Sequence, residues 1–193
     1  MPTSSNKIAT ALSSEDRQTL LDLARTSIKK GLCGKTFTIK PQNYSPALQA
    51  QGASFVTLHV DKKLRGCIGT LEAEQPLVQD VVKNAYAAAY SDPRFPALTW
   101  PEFEHLDIHL SILNPPEPIH FESEEDLLRQ LRPGVDGLIL KDGFNRGTFL
   151  PSVWESLPQP RDFLQHLKLK AGLPPDHWSD TIKVDRYTTE SIS

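Results

Sequence analysis

A thiol flanked by glycines is the feature of this sequence best suited to chemistry. Cys67 follows Gly66 directly, and Gly69 comes two residues later. Arg65 precedes the cysteine by two residues. Residues two apart in a strand share a face, so Arg65, Cys67 and Gly69 are predicted to line one side. Because glycine in a strand marks a bulge or a close approach, open space is expected beside the thiol, as the floor of a cleft.

The charge of Arg65 gives this thiol a route to reactivity. Two positions along a strand span roughly 7 Å. At that distance a unit charge attracts a thiolate by about 0.6 kcal/mol in water and about 2.4 kcal/mol at an effective dielectric of 20. In a shielded site this brings the pKa of Cys67 from ~8.5 toward neutrality, as a nucleophile needs. The competing interpretation is a small buried core residue, and on these residues alone it comes first.

His109 is the second candidate, as a general base. The segment Leu106 to Leu113 alternates between apolar and polar residues, and His109 lies on its polar face. If this strand neighbours the strand of Cys67, the two side chains form a Cys–His pair. The alternative is a solvent-facing histidine on a half-exposed sheet.

A charged, proline-stiffened loop is the third candidate. Asp92 and Arg94 flank Pro93, and Arg94 is suited to orienting a carboxylate or phosphate group of a small ligand. The alternative is a turn that ends a helix and holds an internal ion pair.

Composition narrows the remaining classes. The net charge of −3 argues against a nucleic-acid binder, and no apolar run is long enough for a membrane span. Phosphate-loop and metal-ligand motifs are absent from the sequence, so no metal site is predicted. Cys33 and Cys67 stand alone, which favours the reducing cytoplasm over a disulfide scaffold.

The pattern of elements predicts an α+β fold, a mostly antiparallel sheet with flanking helices. Ser13 and Asp16 resemble a capping box that opens a helix, after a flexible tail over residues 1–12. A tight turn at Asp61 joins two strands into a hairpin, with the residue opposite Cys67 left open between Leu58 and His59. The last strand is expected over 182–187.

Several motifs in order resemble one known family, the AMMECR-type domain family, whose bacterial and archaeal members are also called AmmeMemoRadiSam system protein A. The similarity runs from about Leu20 to the final strand. It is carried by Phe55-Val56-Thr57-Leu58, Leu64-Arg65-Gly66-Cys67-Ile68-Gly69, Asp92-Pro93-Arg94-Phe95, Ser111-Ile112-Leu113, Asp136-Gly137-Leu138-Ile139, Phe149-Leu150-Pro151 and Lys170-Ala171-Gly172-Leu173.

The resemblance implies one domain over residues 13–193, with a larger and a smaller lobe and the Cys67 signature at a cleft between them. It implies a pathway shared with a Memo-type protein and a radical-SAM protein, but no settled reaction and no known cofactor. One hypothesis is an enzyme that uses Cys67 with Arg65 and His109. The other is a non-catalytic module that binds a ligand or a protein through the same cleft. Candidate ligand-binding residues are Arg65, Gly66, Gly69, Asp92 and Arg94.

Overall fold

The computed structural model describes residues 11–193, whose strands form two sheets. The chain divides into two units: the first runs to Ile112 and includes Glu190–Ser193, and the second is Leu113–Thr189. Most of the predicted tail, residues 1–10, lies outside the described residues, whereas Leu12 packs against the first core.

The helices and strands are α1 Ser14–Leu32, α2 Pro46–Gln49, β1 Gln51–Val60, β2 Lys63–Gly69, β3 Gln75–Pro76, α3 Leu77–Tyr90, α4 Trp100–Glu104, β4 Leu106–Leu113, β5 Glu117–Pro118, α5 Glu124–Gln130, β6 Gly137–Asp142, β7 Asn145–Phe149, α6 Pro160–Lys170, β8 Lys183–Tyr187 and β9 Thr189–Ile192.

The first helix begins where the capping box predicted. The hydroxyl of Ser13 accepts from the backbone N–H of Asp16 at 3.0 Å, and the carboxylate of Asp16 accepts from Ser13 N–H at 3.0 Å. This satisfies two backbone donors that the first turn leaves free. Leu20, Ala24 and Ile28 then recur at helical spacing and are fully buried, so α1 presents one apolar stripe to the core.

The first sheet has the strand order β2-β1-β4-β9, with β3 also paired to β1. Its hairpin, β1 and β2, turns through Asp61 and Lys62, both of which have positive φ. Helix α3 packs on this hairpin and α1 packs on α3. Val56 and Leu58 of β1 face that helical side and are fully buried, so the intervening residues of β1 face the opposite side.

A buried carboxylate fastens the hairpin to α3. Asp80 accepts from the backbone N–H and hydroxyl of Ser54 on β1, at 2.8 and 2.7 Å. It also accepts from Thr70 Oγ1, Gln75 Nε2 and Asn84 Nδ2, at 2.7, 3.0 and 3.0 Å. Because a buried carboxylate needs such donors, this network fixes where β1 and the end of β2 lie on the helix.

The second unit is a four-stranded antiparallel sheet of order β5-β8-β6-β7, with α6 packed on β7. Its core is separate, and Phe163 of α6 stacks on Trp154 with centroids 3.8 Å apart. The prediction that the last strand ends near residue 187 is wrong. A further strand, β9, follows and joins the first sheet, because Ile192 completes the first core.

The predicted α+β class with antiparallel pairing and flanking helices is confirmed. Within residues 11–193, no helix has the combined length and apolar character needed to cross a membrane.

Candidate functional site

The thiol of Cys67 lies on the side of the first sheet that faces away from α3. Thr57 of β1 is directly opposite it, so the partner is neither Leu58 nor His59. The Thr57 hydroxyl and the Cys67 sulfur are 3.3 Å apart and share a hydrogen bond. Cys67 is half-buried and unpaired in any disulfide. The geometry therefore differs from that of a core cysteine surrounded only by aliphatic groups.

A β-bulge at Arg65 sets this register. Leu58 pairs with Gly66, but the next residue of β1, His59, pairs with Leu64, so Arg65 has no residue opposite it. An extra residue of this kind interrupts the alternation of faces. The regular alternation from which Arg65 and Cys67 were predicted to share a face is therefore interrupted at Arg65.

The guanidinium of Arg65 is engaged elsewhere. It donates to both carboxylate oxygens of Glu102, at 2.8 and 3.2 Å, and to the carbonyl of Pro96 at 2.8 Å. Arg65 is only 7% exposed, and its Nη1 is buried without a partner among the described residues. The hydrogen bond from Arg65 lowers the pKa of Glu102 to about 2. Arg65 thus joins the bulge to the start of α4.

The loop after α3 reaches the backbone of Cys67. Asp92 is 4% exposed, and its Oδ2 accepts from the Cys67 N–H at 2.9 Å. Because β2 is the edge strand, this carboxylate caps a donor that the ladder leaves free. The alternative interpretation of this loop, a turn that ends a helix, is therefore correct. The loop also makes a direct contact with the cysteine.

Arg94 binds the same carboxylate, that of Asp92. Its Nε and Nη2 donate to the two oxygens of Asp92 at 3.0 and 2.7 Å, and its backbone N–H donates at 3.1 Å. These bonds, chiefly those from Arg94, hold the pKa of Asp92 far below its usual range. The same hydrogen bond to Asp92 raises the pKa of Arg94, and the nearby Cys67 adds to that rise. The Arg94 side chain remains 54% exposed.

One aromatic ring lies between the two arginines. The guanidinium carbons of Arg65 and Arg94 are 5.6 and 5.5 Å from the ring centroid of Phe95. These cation–π contacts add to the hydrogen bonds that already hold both guanidinium groups in place.

His109 does not lie on a strand next to that of Cys67. In the strand order β2-β1-β4, β1 separates β4 from β2, so the condition for a direct Cys–His pair is not met. The ring of His109 instead contacts His59 of β1 edge-on, with centroids 5.2 Å apart. His59 Nδ1 is buried and has no hydrogen-bond partner among the described residues.

The two glycines of the signature serve packing. A Cβ on Gly66 would lie 2.1 Å from the carbonyl oxygen of Ala88, so the strand can approach α3 only with glycine there. A Cβ on Gly69 would lie 2.2 Å from the ring of Phe55. The space expected to be empty over Gly69 is therefore filled by that ring.

The structure thus brings Cys67, Asp92 and Arg94 together. Arg65 instead pairs with Glu102, and His109 contacts His59. Sequence reasoning missed Thr57, because its place opposite the thiol depends on the bulge. Within the part of the chain that the structure describes, no three His, Cys, Asp or Glu side chains come together as a metal-binding group.

Comparison with known proteins agrees with the sequence motifs. The family model AMMECR1 matches residues 21–192. Similar proteins include one from Methanothermobacter thermautotrophicus, 38% identical over 88% of each chain, and protein MJ0810 from Methanocaldococcus jannaschii, 39% identical over 86% of this chain and 84% of that one. The crystal structure of uncharacterized protein PH0010 from Pyrococcus horikoshii matches with a TM-score of 0.85 and 36% identity, covering 93% of this chain and 92% of that one.

Proposed function

The chain belongs to the AMMECR1 family, and on that premise we propose that it is an enzyme whose working group is the thiol of Cys67. The observation that carries the proposal is the setting of the sulfur. Its side chain has a hydroxyl at 3.3 Å, and its own backbone N–H is held by the Asp92 carboxylate. A thiol with only a packing role has no need of either contact.

Each neighbour has a role in this proposal. Thr57 donates its hydroxyl hydrogen to the sulfur when the thiol has lost its proton. Asp92 fixes the backbone of Cys67 and, through two further bonds, the guanidinium of Arg94. Arg94 then binds an anionic group of the substrate, because its Nη1 is not used by Asp92 and its side chain is half-exposed.

The histidines on the same face complete the proposal. His59 lies two residues from Thr57 along β1, which places it diagonally from Cys67, roughly 7 Å away between strand positions. His109 contacts His59 and reaches the thiol only through it. We assign this pair the transfer of the thiol proton by way of bridging water.

Cys33 provides an internal control for the test, since it is exposed and is the only other cysteine in the sequence. Native protein is treated with limiting iodoacetamide, and the labelling of each cysteine is followed by mass spectrometry. The proposal expects Cys67 to react at least about tenfold faster than Cys33, although it is less exposed, because nucleophilicity follows the thiolate. Labelling of Cys67 only after denaturation would refute it.

The exposed guanidinium of Arg94 also favours a second candidate, a module that binds an anionic ligand without thiol chemistry. The two functions separate by substitution. If the thiol of Cys67 takes part in the reaction, Cys67→Ser abolishes the function of the protein in cells and Arg94→Ala weakens it. If the site only binds, Cys67→Ser leaves function intact and Arg94→Ala removes it.

The family resemblance supports two further parts of the proposal. A shared pathway with a Memo-type and a radical-SAM protein makes these the first candidate partners. Two unpaired cysteines support a reducing cytoplasm as the location. Mixing the purified chain with each candidate partner and measuring the mass of the complex by light scattering tests the association.

A further inference from the structure

A second surface of the first unit, separate from Cys67, has the features of a peptide-binding groove. The segment Lys35–Lys40 follows α1 and has no helix or strand structure, and its residues line a groove together with residues of α3. The groove along it has a volume of about 470 Å³. Its lining includes Phe37 and Ile39 from this segment and Val82, Lys83 and Tyr86 from α3.

The segment has the pattern of a strand but no strand beside it. Phe37 and Ile39 are half-buried, whereas Thr36 and Thr38 are exposed, which is the alternation of a half-covered strand. Within residues 11–193, no hydrogen bond involves the backbone N–H or C=O groups of Thr36 to Ile39. Among the described residues these groups therefore have no hydrogen-bond partner, which is the condition that pairing with an added strand requires.

The positive charges around the groove favour an acidic ligand. Lys35 and Lys40 flank Thr36–Ile39 in the chain and are exposed, and Lys83 lines the groove. None of these three forms an ion pair with another described residue. The residues that line the groove include no Asp or Glu. In a chain of net charge −3, this is a local excess of positive charge.

We propose that this groove binds an extended acidic peptide segment of a partner protein, which pairs as a strand with Thr36–Ile39. Apolar side chains of the peptide would contact Phe37, Ile39 and the exposed ring of Tyr86, which is 41% exposed. A second copy of the chain fits less well, because antiparallel pairing would bring Lys35 of one copy against Lys40 of the other. Residues 1–10 contain no Asp or Glu, so the chain's own start lacks the required charge.

The test uses two short labelled peptides with the full-length protein. One alternates glutamate and valine, and the matched control alternates lysine and valine. Fluorescence anisotropy measures binding, and hydrogen exchange measures protection of the amides of Thr36–Ile39. We expect saturable binding of the acidic peptide alone, with amide exchange in this segment slowed at least about tenfold on saturation.

Two protein variants locate the binding. The double substitution Lys35→Glu with Lys83→Glu is expected to weaken binding of the acidic peptide at least about tenfold, since each attraction becomes a repulsion. Lys63→Glu makes the same kind of change on the exposed start of β2 and is expected to leave binding within about twofold. Equal binding of both peptides, binding without protection of Thr36–Ile39, no saturable binding, or self-association through this segment would overturn the proposal.

Discussion

Arg65 shows how a charged residue beside a cysteine serves the fold. Its guanidinium is buried and forms a bidentate pair with Glu102, while the neighbouring sulfur receives a hydroxyl contact from Thr57. The proximity of Arg65 in the sequence suggested electrostatic support of the thiol. In the structure, the arginine that is hydrogen-bonded to a group contacting Cys67 is Arg94, from a distant part of the chain.

A substitution separates these two roles. Arg65→Gln removes the pair with Glu102 and is expected to lower the free energy of unfolding by about 2 kcal/mol, because a mostly buried pair loses its cation. The alkylation rate of native Cys67 should stay within about twofold of wild type. Urea unfolding and iodoacetamide labelling measure the two effects. A large fall in labelling rate at unchanged stability would instead assign Arg65 to the thiol.

Asp92 provides a pH-dependent prediction. Its folded pKa is lowered, so its stabilisation is present above the unfolded pKa near 3.9 and is lost as pH falls below that value. Asp92→Asn is therefore expected to cost about 2–4 kcal/mol at neutral pH and about 1 kcal/mol less at about pH 3. Urea unfolding at both pH values measures this difference.

The matched control is Asp107→Asn, which removes an exposed carboxylate from β4. It should change stability by less than about 0.5 kcal/mol at either pH. An equal loss of unfolding free energy for Asp92→Asn at both pH values would show that the shape of the Asp92 side chain, and not its charge, holds the backbone of Cys67.

The residue scale also shows what the sequence could reveal. The capping box, the loop charges and the chemical interest of Cys67 are local, and each was found from neighbouring residues. The contacts of Glu102 with Arg65 and of His59 with His109 join residues far apart in the chain, so no local pattern revealed them.

At the scale of the element, the bulge decides which side of the sheet carries the thiol. The turn pairs Val60 with Lys63, and unbroken pairing from there would place Val56, which faces the core, opposite Cys67. The extra residue at Arg65 moves the register by one and brings Thr57 opposite instead. A shift of one residue exchanges the faces, so without the bulge the sulfur would point toward α3.

The hairpin itself could be predicted, but this register could not. Two β-rich segments and a short turn at Asp61 are visible in the sequence. The bulged residue, Arg65, pairs with Glu102, which is distant in the chain, so the bulge coincides with a tertiary interaction that no local pattern reveals. Strand order likewise depends on contacts among distant segments, which is why the sequence left open whether the strand of His109 neighbours that of Cys67.

The two signature glycines give an element-scale prediction. Gly66→Ala places a methyl group against the backbone carbonyl of Ala88, which moves only with the helix. Gly69→Ala meets the Phe55 ring, a side chain that can rotate. We expect losses in unfolding free energy of about 3 kcal/mol or more for Gly66→Ala and about 1–2 kcal/mol for Gly69→Ala, measured by urea unfolding. Equal losses would contradict the close approach of β2 to α3.

At the scale of the whole molecule, both units contain carboxylates with lowered pKa values. In the first unit, Arg65 holds the pKa of Glu102 at about 2. In the second, Asp142 accepts from Thr181, His177 and Ser179, and these bonds lower its pKa to about 2. Each contact ties a loop or short helix to a strand, so the same charges that order the connections make them sensitive to acid.

The sign of this sensitivity follows from proton binding. Because the folded pKa values are lowered, the unfolded chain binds more protons between about pH 4.5 and about pH 2, and stability falls as the pH falls through that window. We expect the melting temperature to drop steadily from about pH 5 to about pH 2.5. Glu102→Gln and Asp142→Asn should each lower it at pH 5 and flatten the decline, whereas Asp107→Asn should keep the wild-type slope. If the melting temperature of both variants fell with pH as steeply as that of the wild type, other groups would be responsible for the loss of stability in acid.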